Sequence, residues 1–389
     1  MVRWRNDLLA AIPLTEGQVP RRREALVALR GIIVQGATLA AVAAVLWWLA
    51  HNTLLTLQER DIPVGFDFLG QPANFDIGDT GGLRFDARDT IGRAIVVGLA
   101  NTLRIAALGC VLSVLVGSLL GILRLTSNAT VRGAARAVVE VMRNTPLLLL
   151  LLFLDATIRQ LPGARDALHP VRHVFLSDRG LALPSVGVPP IALVAMVLVA
   201  GALLMPRGSS RMRRLVVTVA SVAGTALMIT VPSVRPIIGV PCLAGFNFVG
   251  GWMLSPEFAA LLGALVLHHS AHISEVVRGA ILSVPRGQQE AARALGLSTI
   301  QVLRLVTVPR ALRAMVPLLV TNCVSLVKNS SLAVAIGFPD LVSVLNTTGN
   351  QTGRNIEAML IMVVTYLAVS LGVAGVLGRY NARLIRRTV

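Results

Sequence analysis

Long apolar runs separated by Arg-dotted polar segments dominate the chain. A membrane helix needs roughly 20 apolar residues, and the clearest such run is residues 31–50, which carries no charge. The pattern predicts further spans at about 93–123, from near Val138 through Leu152, at about 188–206, 215–234, 257–280, 314–336 and 357–378. Between them lie polar stretches. Residues 51–90 hold seven acids against three Arg and read as an external loop. Residues 159–185 are mixed and Pro-containing, and 236–256 are apolar but broken by Gly and Pro, a folded external or re-entrant segment. Residues 284–313 form an amphipathic stretch between two spans.

Composition supports this reading. Of 389 residues, 54% are hydrophobic and only 14% charged, with mean hydropathy +0.73. That excludes an ordinary soluble enzyme or a disordered chain. Aromatic residues make up 4%, too few for the girdles of a transmembrane β-barrel, so helices remain the way to satisfy the backbone in lipid. The net charge of +17 comes from 35 Arg and a single Lys. With eight spans and both termini inside, the cytoplasmic segments hold 24 Arg and 5 acids, the external ones 10 Arg and 13 acids. That asymmetry is the positive-inside pattern, so the basic balance sets topology and gives no ground for a nucleic-acid partner. Residues 1–30 then form a cytoplasmic N-terminal segment, 31–50 an anchor span and 381–389 a cytoplasmic tail. Cys110, Cys242 and Cys323 have no metal-ligand or disulfide spacing.

Chemistry concentrates in a few places. Residues 288–295 predict a short helix with Glu290 near its start, small Ala291 and Ala292, and Gly296 as its C-terminal cap. It is either a handle for a partner protein or an ordinary loop helix. Lys328, followed by Asn329, Ser330 and Ser331, puts four polar side chains about midway along the seventh span. Intramembrane charges are costly and usually face a bundle interior or a water-filled path. The group is expected to be buried, lining a translocation path or clamping helices together, with Glu275 as a partner. Arg104 and Arg278 read as helix-end residues that snorkel. His268 and His272, with Glu275 three further on, have the spacing of a one-face metal site, but aromatic-sized polar rings also line helix interfaces. Gly117 and Gly121 form a small-xxx-small pattern of helix packing. A P-loop needs a Gly-Lys-Ser/Thr sequence, and the only Lys precedes Asn329, so any ATP-driven function requires a separate ATPase.

Glu290-Ala291-Ala292, Gly296, Val306 and Val308-Pro309 resemble the coupling-loop signature of ABC importer permeases, with Val where that family prefers Ile and Leu. Arg143-Asn144-Thr145-Pro146, the stretch from Gly98 to Arg104, and Lys328 to Leu332 look like permeases for polar amino acids. With 245–251, 255–258, 338–341 and 350–353, the chain is similar to the larger permease subunit of general L-amino-acid importers, from about residue 90 onward. His268, His269 and His272 depart from that pattern. The resemblance implies an all-α integral membrane protein of the inner membrane. Its transmembrane domain would cover 91–380, with a type I importer core of five helices and an inserted pair at 186–235. It also implies a second permease subunit, two ATPase subunits that bind ATP and Mg, a periplasmic amino-acid-binding protein, and no cofactor in this chain. Glu290, Ala291, Ala292, Gly296 and Pro309 would couple to the ATPase. Lys328, Asn329, Ser330, Ser331, Glu275, Asn144 and Thr145 are the candidates for the path or clamp. The other reading open to the sequence is an ion-gradient-driven transporter with Glu275 and Lys328 at its midplane site.

Overall fold

A computed structural model describes residues 21–59, 65–187, 237–245 and 247–386. They fall into two units, Met1–Gly65 and Phe66–Val389. In the first, α1 (Arg21–Glu59) is one continuous helix, which carries the anchor span nine residues into the segment read as loop. The fourth and fifth predicted spans, and most of the inserted pair at 186–235, lie outside the described residues.

The second unit is built on α2 (Ile91–Leu123), α3 (Ala129–Asn144), α4 (Leu147–Arg159), α5 (Pro256–Leu282), α6 (Arg286–Ala294), the short α7 (Thr299–Val302), α8 (Val308–Asn329), α9 (Leu341–Thr352) and α10 (Asn355–Arg386). Five helical stretches among the described residues are long and apolar enough to cross a membrane: Ile33–Glu59, Ile91–Leu123, Pro256–Leu282, Thr299–Ile336 and Asn355–Gly375. The bent pair α3–α4 would make a sixth. The predicted third span is thus not one straight helix. The chain bends by 104° between its two arms. Pro146 lacks an N–H and disfavours a helical Thr145, which sits in extended backbone at φ −86°, ψ 123° and ends α3.

Thr90 starts α2 by accepting the Arg93 N–H on its hydroxyl, and 33 residues give it a length of about 50 Å. Glycines bring α2 against α5. A Cβ on Gly117 would lie 2.7 Å from Ile273 and 2.8 Å from the Ser270 carbonyl, and one on Gly121 would lie 2.9 Å from the Ser274 carbonyl. The small-xxx-small pattern is therefore a real line of contact between these two helices. The core spreads from it through Ile105, Leu151, Leu261, Leu265, Leu326 and an edge-to-face pair of Phe258 and Phe338.

The connections are not helical. An antiparallel sheet orders β1 (Leu168–Val171), β2 (Val174–Ser177), β3 (Gly180–Leu183) and β8 (Trp252–Leu254). Two further strand pairs join β4 (Ser185–Gly187) to β5 (Ile237–Gly239), and β6 (Cys242–Ala244) to β7 (Asn247–Val249). The all-helical expectation holds for the spans, and the polar connections add these short strands.

Candidate functional site

The loop between α5 and α8 is held at both ends by the spans themselves. Val284 is buried with Ala280 of α5 and Ala311 of α8. Pro285 opens α6, which is one residue shorter at its C-terminus than the predicted 288–295 helix and starts two residues earlier. The N–H of Leu297 donates to the Ala292 carbonyl and that of Gly296 to Arg293, with Gly296 at φ +81°. This left-handed turn is one that a residue without a Cβ adopts cheaply, and it satisfies the orphan carbonyls of the helix. Ser298 and Gln301 then form a reciprocal cap at the start of α7. Pro309 sits in the first turn of α8, directly after a π-helical turn at Leu303–Thr307.

The two alanines do not act alike. Glu290 and Ala291 are exposed, whereas Ala292 is buried within the loop's own fold. Leu295 and Ile300 stand out beside them, 82% and 76% exposed, with no cover from the described residues. The loop thus offers a small apolar knob with flanking Arg286, Arg293 and Arg304, all exposed.

The polar group at the end of α8 differs from expectation. Lys328 lies in the last turn of α8, inside the Thr299–Ile336 span, and is exposed rather than buried. Its ammonium makes no ion pair among the described residues. The hydroxyls of Ser330 and Ser331 donate to the carbonyls of Val327 and Lys328, so they bond back to their own helix, which runs on as a 3-10 helix over Ser330–Ile336, rather than form an open belt. The Asn329 amide meets Nε2 of His269 at 3.3 Å.

Glu275 is not Lys328's partner. Its Oε1 accepts from Arg124 at 2.7 Å and from Arg143 at 3.2 Å, and its Oε2 pairs with Arg278 at 3.1 Å. The Arg124 side chain is the most buried of the three and also reaches the Ser274 hydroxyl. One carboxylate shared by three guanidiniums is an electrostatic staple joining α2, α3 and α5. That engagement draws Glu275 away from the metal arrangement with His268 and His272, and separates it from the ion site that a gradient-driven transporter would build with Lys328. His268 and His272 instead contact edge to face, with ring centroids 4.9 Å apart. Asn144 is the exposed last residue of α3, and the Thr145 hydroxyl donates back to Val141, so both belong to the α3–α4 bend.

At the other end of α2 the structure brings together residues that the sequence left apart. Asp79 pairs with Arg104 at 3.3 Å, and Ser255 donates to the same carboxylate. The amide of Asn101 donates to the carbonyls of Asp79 and Pro339. The Arg104 guanidinium lies 4.2 Å from the centre of the Phe258 ring, a cation–π contact rather than a snorkel into water. Asn101 and Arg104 share one helix face by their spacing of three, but nothing in the sequence pointed to Asp79.

Asp340 and Glu357 are the buried acids among the described residues. Asp340 lies just before α9. It caps α9 by accepting the Ser343 N–H and is bonded by the Tyr366 hydroxyl. Burial pushes its carboxyl up to about 6, against the lowering effect of these hydrogen bonds.

A family model for binding-protein-dependent transport system inner membrane components matches residues 113–386. The chain is 38% identical over 370 residues to a putative amino-acid ABC transporter permease protein, YhdX, of Escherichia coli (strain K12), covering 91% of this chain and 94% of the relative. It is 35% identical to the general L-amino acid transport system permease protein AapQ of Rhizobium johnstonii, over 91% and 92% of the two chains. It is 33% identical to the glutamate/glutamine/aspartate/asparagine transport system permease protein BztB of Rhodobacter capsulatus, over 90% and 93%.

Proposed function

The chain belongs to the family of binding-protein-dependent transport system inner membrane components, and we propose that it couples amino-acid import to a separate ATPase through α6. It is a permease subunit of an amino-acid ABC importer, an integral protein of the inner membrane. ATP and Mg are held by the ATPase subunits, and a periplasmic binding protein delivers the amino acid. A second permease subunit completes the path, with Lys328 and Asn329 facing it and Asn144 and Thr145 at the bend between α3 and α4. Both termini lie in the cytoplasm.

The observation that carries the coupling role is the exposed set of Glu290, Ala291, Leu295 and Ile300 on a loop whose ends are fixed to α5 and α8. A force on that loop is transmitted directly to two spans. Small and apolar groups leave room for close approach and lose water on contact. The test is purification from detergent with the ATPase co-expressed. Replacing Leu295→Asp together with Ile300→Asp should release the ATPase while the permease still inserts. Retention of the ATPase at wild-type ratio would overturn the coupling role of this surface.

A further inference from the structure

The staple around Glu275 forms one wall of a cavity of about 490 Å³, lined by Arg124, Arg132, Arg136, Glu140 and Arg278 as well as Glu275. Its charge does not cancel. Glu275 serves Arg124, Arg143 and Arg278 at once, so that group keeps two positive charges. Glu140 is matched by Arg136 at 2.7 Å. Arg132 donates only to the carbonyls of Thr126 and Ser127, neutral acceptors that leave its charge intact. The first turn of α3 opens onto the same space at Ala129, where the helix dipole adds further positive potential. An arrangement of several guanidiniums around a solvent-reachable cavity favours a phosphate group, which accepts from their forked donors.

Helix α3 also shows where that phosphate comes from. Arg132, Arg136, Glu140 and Arg143 recur at spacings of four, four and three, one charged face of the helix. Val131, Val138 and Val141 lie on another face and are exposed. A helix with a basic face beside an uncovered apolar face suits the boundary between headgroups and acyl chains. We propose that this cavity binds the phosphate headgroup of an anionic phospholipid in the cytoplasmic leaflet. The proposal rests on the topology given above, in which the C-terminal ends of α2 and α5 face the cytoplasm. The bound lipid would neutralise the excess charge where α2, α3 and α5 meet, and so hold the bend of α3 and α4 in place.

The experiment is native mass spectrometry of the purified, assembled transporter with phosphatidylglycerol, phosphatidylcholine or inorganic phosphate added. Phosphatidylglycerol should be retained and phosphatidylcholine lost. Arg132→Gln with Arg136→Gln should weaken retention about thirtyfold, in line with the contribution of two basic residues at an anionic surface. Arg132→Lys with Arg136→Lys should restore most of it, which separates charge from misfolding. Equal retention of the two lipids, or unchanged retention in the Gln pair, would overturn the proposal. Inorganic phosphate bound while phosphatidylglycerol is retained no better than phosphatidylcholine would assign the cavity to a free anion instead. Gly133, on the cavity wall with nothing within 4 Å of an added Cβ, accepts a cysteine. With Cys110, Cys242 and Cys323 replaced by Ala, Gly133→Cys should react with an impermeant maleimide only from the cytoplasmic side. Reaction from outside would contradict the topology, whereas inside labelling without lipid retention would defeat the lipid assignment alone.

Discussion

Gly117→Ala is the smallest change that tests how the spans are held. The added methyl would sit 2.7 Å from both Cβ and Cγ2 of Ile273 and 2.8 Å from the Ser270 carbonyl. Ordinary contact begins at 3.4 Å, so α2 and α5 must part by about 0.7 Å at this turn. Ile273 is β-branched and buried, and the carbonyl belongs to the helix backbone, so neither can swing aside. Overpacking of this kind costs about 1–3 kcal/mol. The same substitution at Gly133, in open space within α3, provides the control. There, replacing Gly by Ala in a helix should gain about 0.5–1 kcal/mol. Thermal unfolding of the detergent-purified transporter, followed by tryptophan fluorescence, should show a lowered midpoint for Gly117→Ala and an equal or raised one for Gly133→Ala. An unchanged midpoint for Gly117→Ala would mean that the close helix contact does not exist.

Three other outcomes follow from the geometry. Glu275→Gln leaves three guanidiniums without their shared carboxylate and should cost roughly 2 kcal/mol, discounted because Glu275 is partly exposed; an unchanged unfolding midpoint would show that the staple is not structural. Asp340 has a carboxyl raised from 3.8 to about 6, so protonation favours the folded state and the contribution is lost as pH rises from about 4 through 6. Asp340→Asn, which keeps the cap and stays neutral, should therefore stabilise the protein at pH 7, by at most about 3 kcal/mol, and be without effect near pH 3.5; a pH-independent difference would refute this. Ala291→Asp, on the exposed face of α6, should impair uptake without impairing insertion, whereas Ala292→Asp should also destabilise the loop, since Ala292 is buried in it; equal proteolytic sensitivity of the two variants would contradict this split.

The spans were legible because nothing but a helix hides its backbone across a long apolar run. The bend at Thr145-Pro146 carried its breaker in plain sight, yet the Leu run after it masked the break. The strands between 168 and 254 are three or four residues long, too short to show an alternating pattern. Gly296 was readable as a cap because a residue at φ +81° is most cheaply Gly. Which of Ala291 and Ala292 faces outward was not, since neighbours on a helix differ by about 100° and the loop that buries one of them is set by tertiary contacts. Pairing Lys328 with Glu275 failed on position along the helix axes. Asn329 meets His269, and Glu275 lies six residues farther along α5, about 9 Å of rise, toward the end where Arg124 and Arg143 arrive. Their shared carboxylate depends on three separate segments converging, which no local spacing records.

The most direct measurement takes the permease together with the proposed second permease subunit, ATPase and binding protein in proteoliposomes, and follows labelled amino-acid uptake and ATP hydrolysis in the same vesicles. The wild type should accumulate amino acid only when ATP is present on the α6 side, with hydrolysis stimulated by loaded binding protein. Ala291→Asp should reduce uptake and break that stimulation while all subunits remain in the membrane. Accumulation driven by an ion gradient without ATP, or wild-type uptake and stimulation in the Ala291→Asp transporter, would contradict an ATP-driven permease coupled through α6.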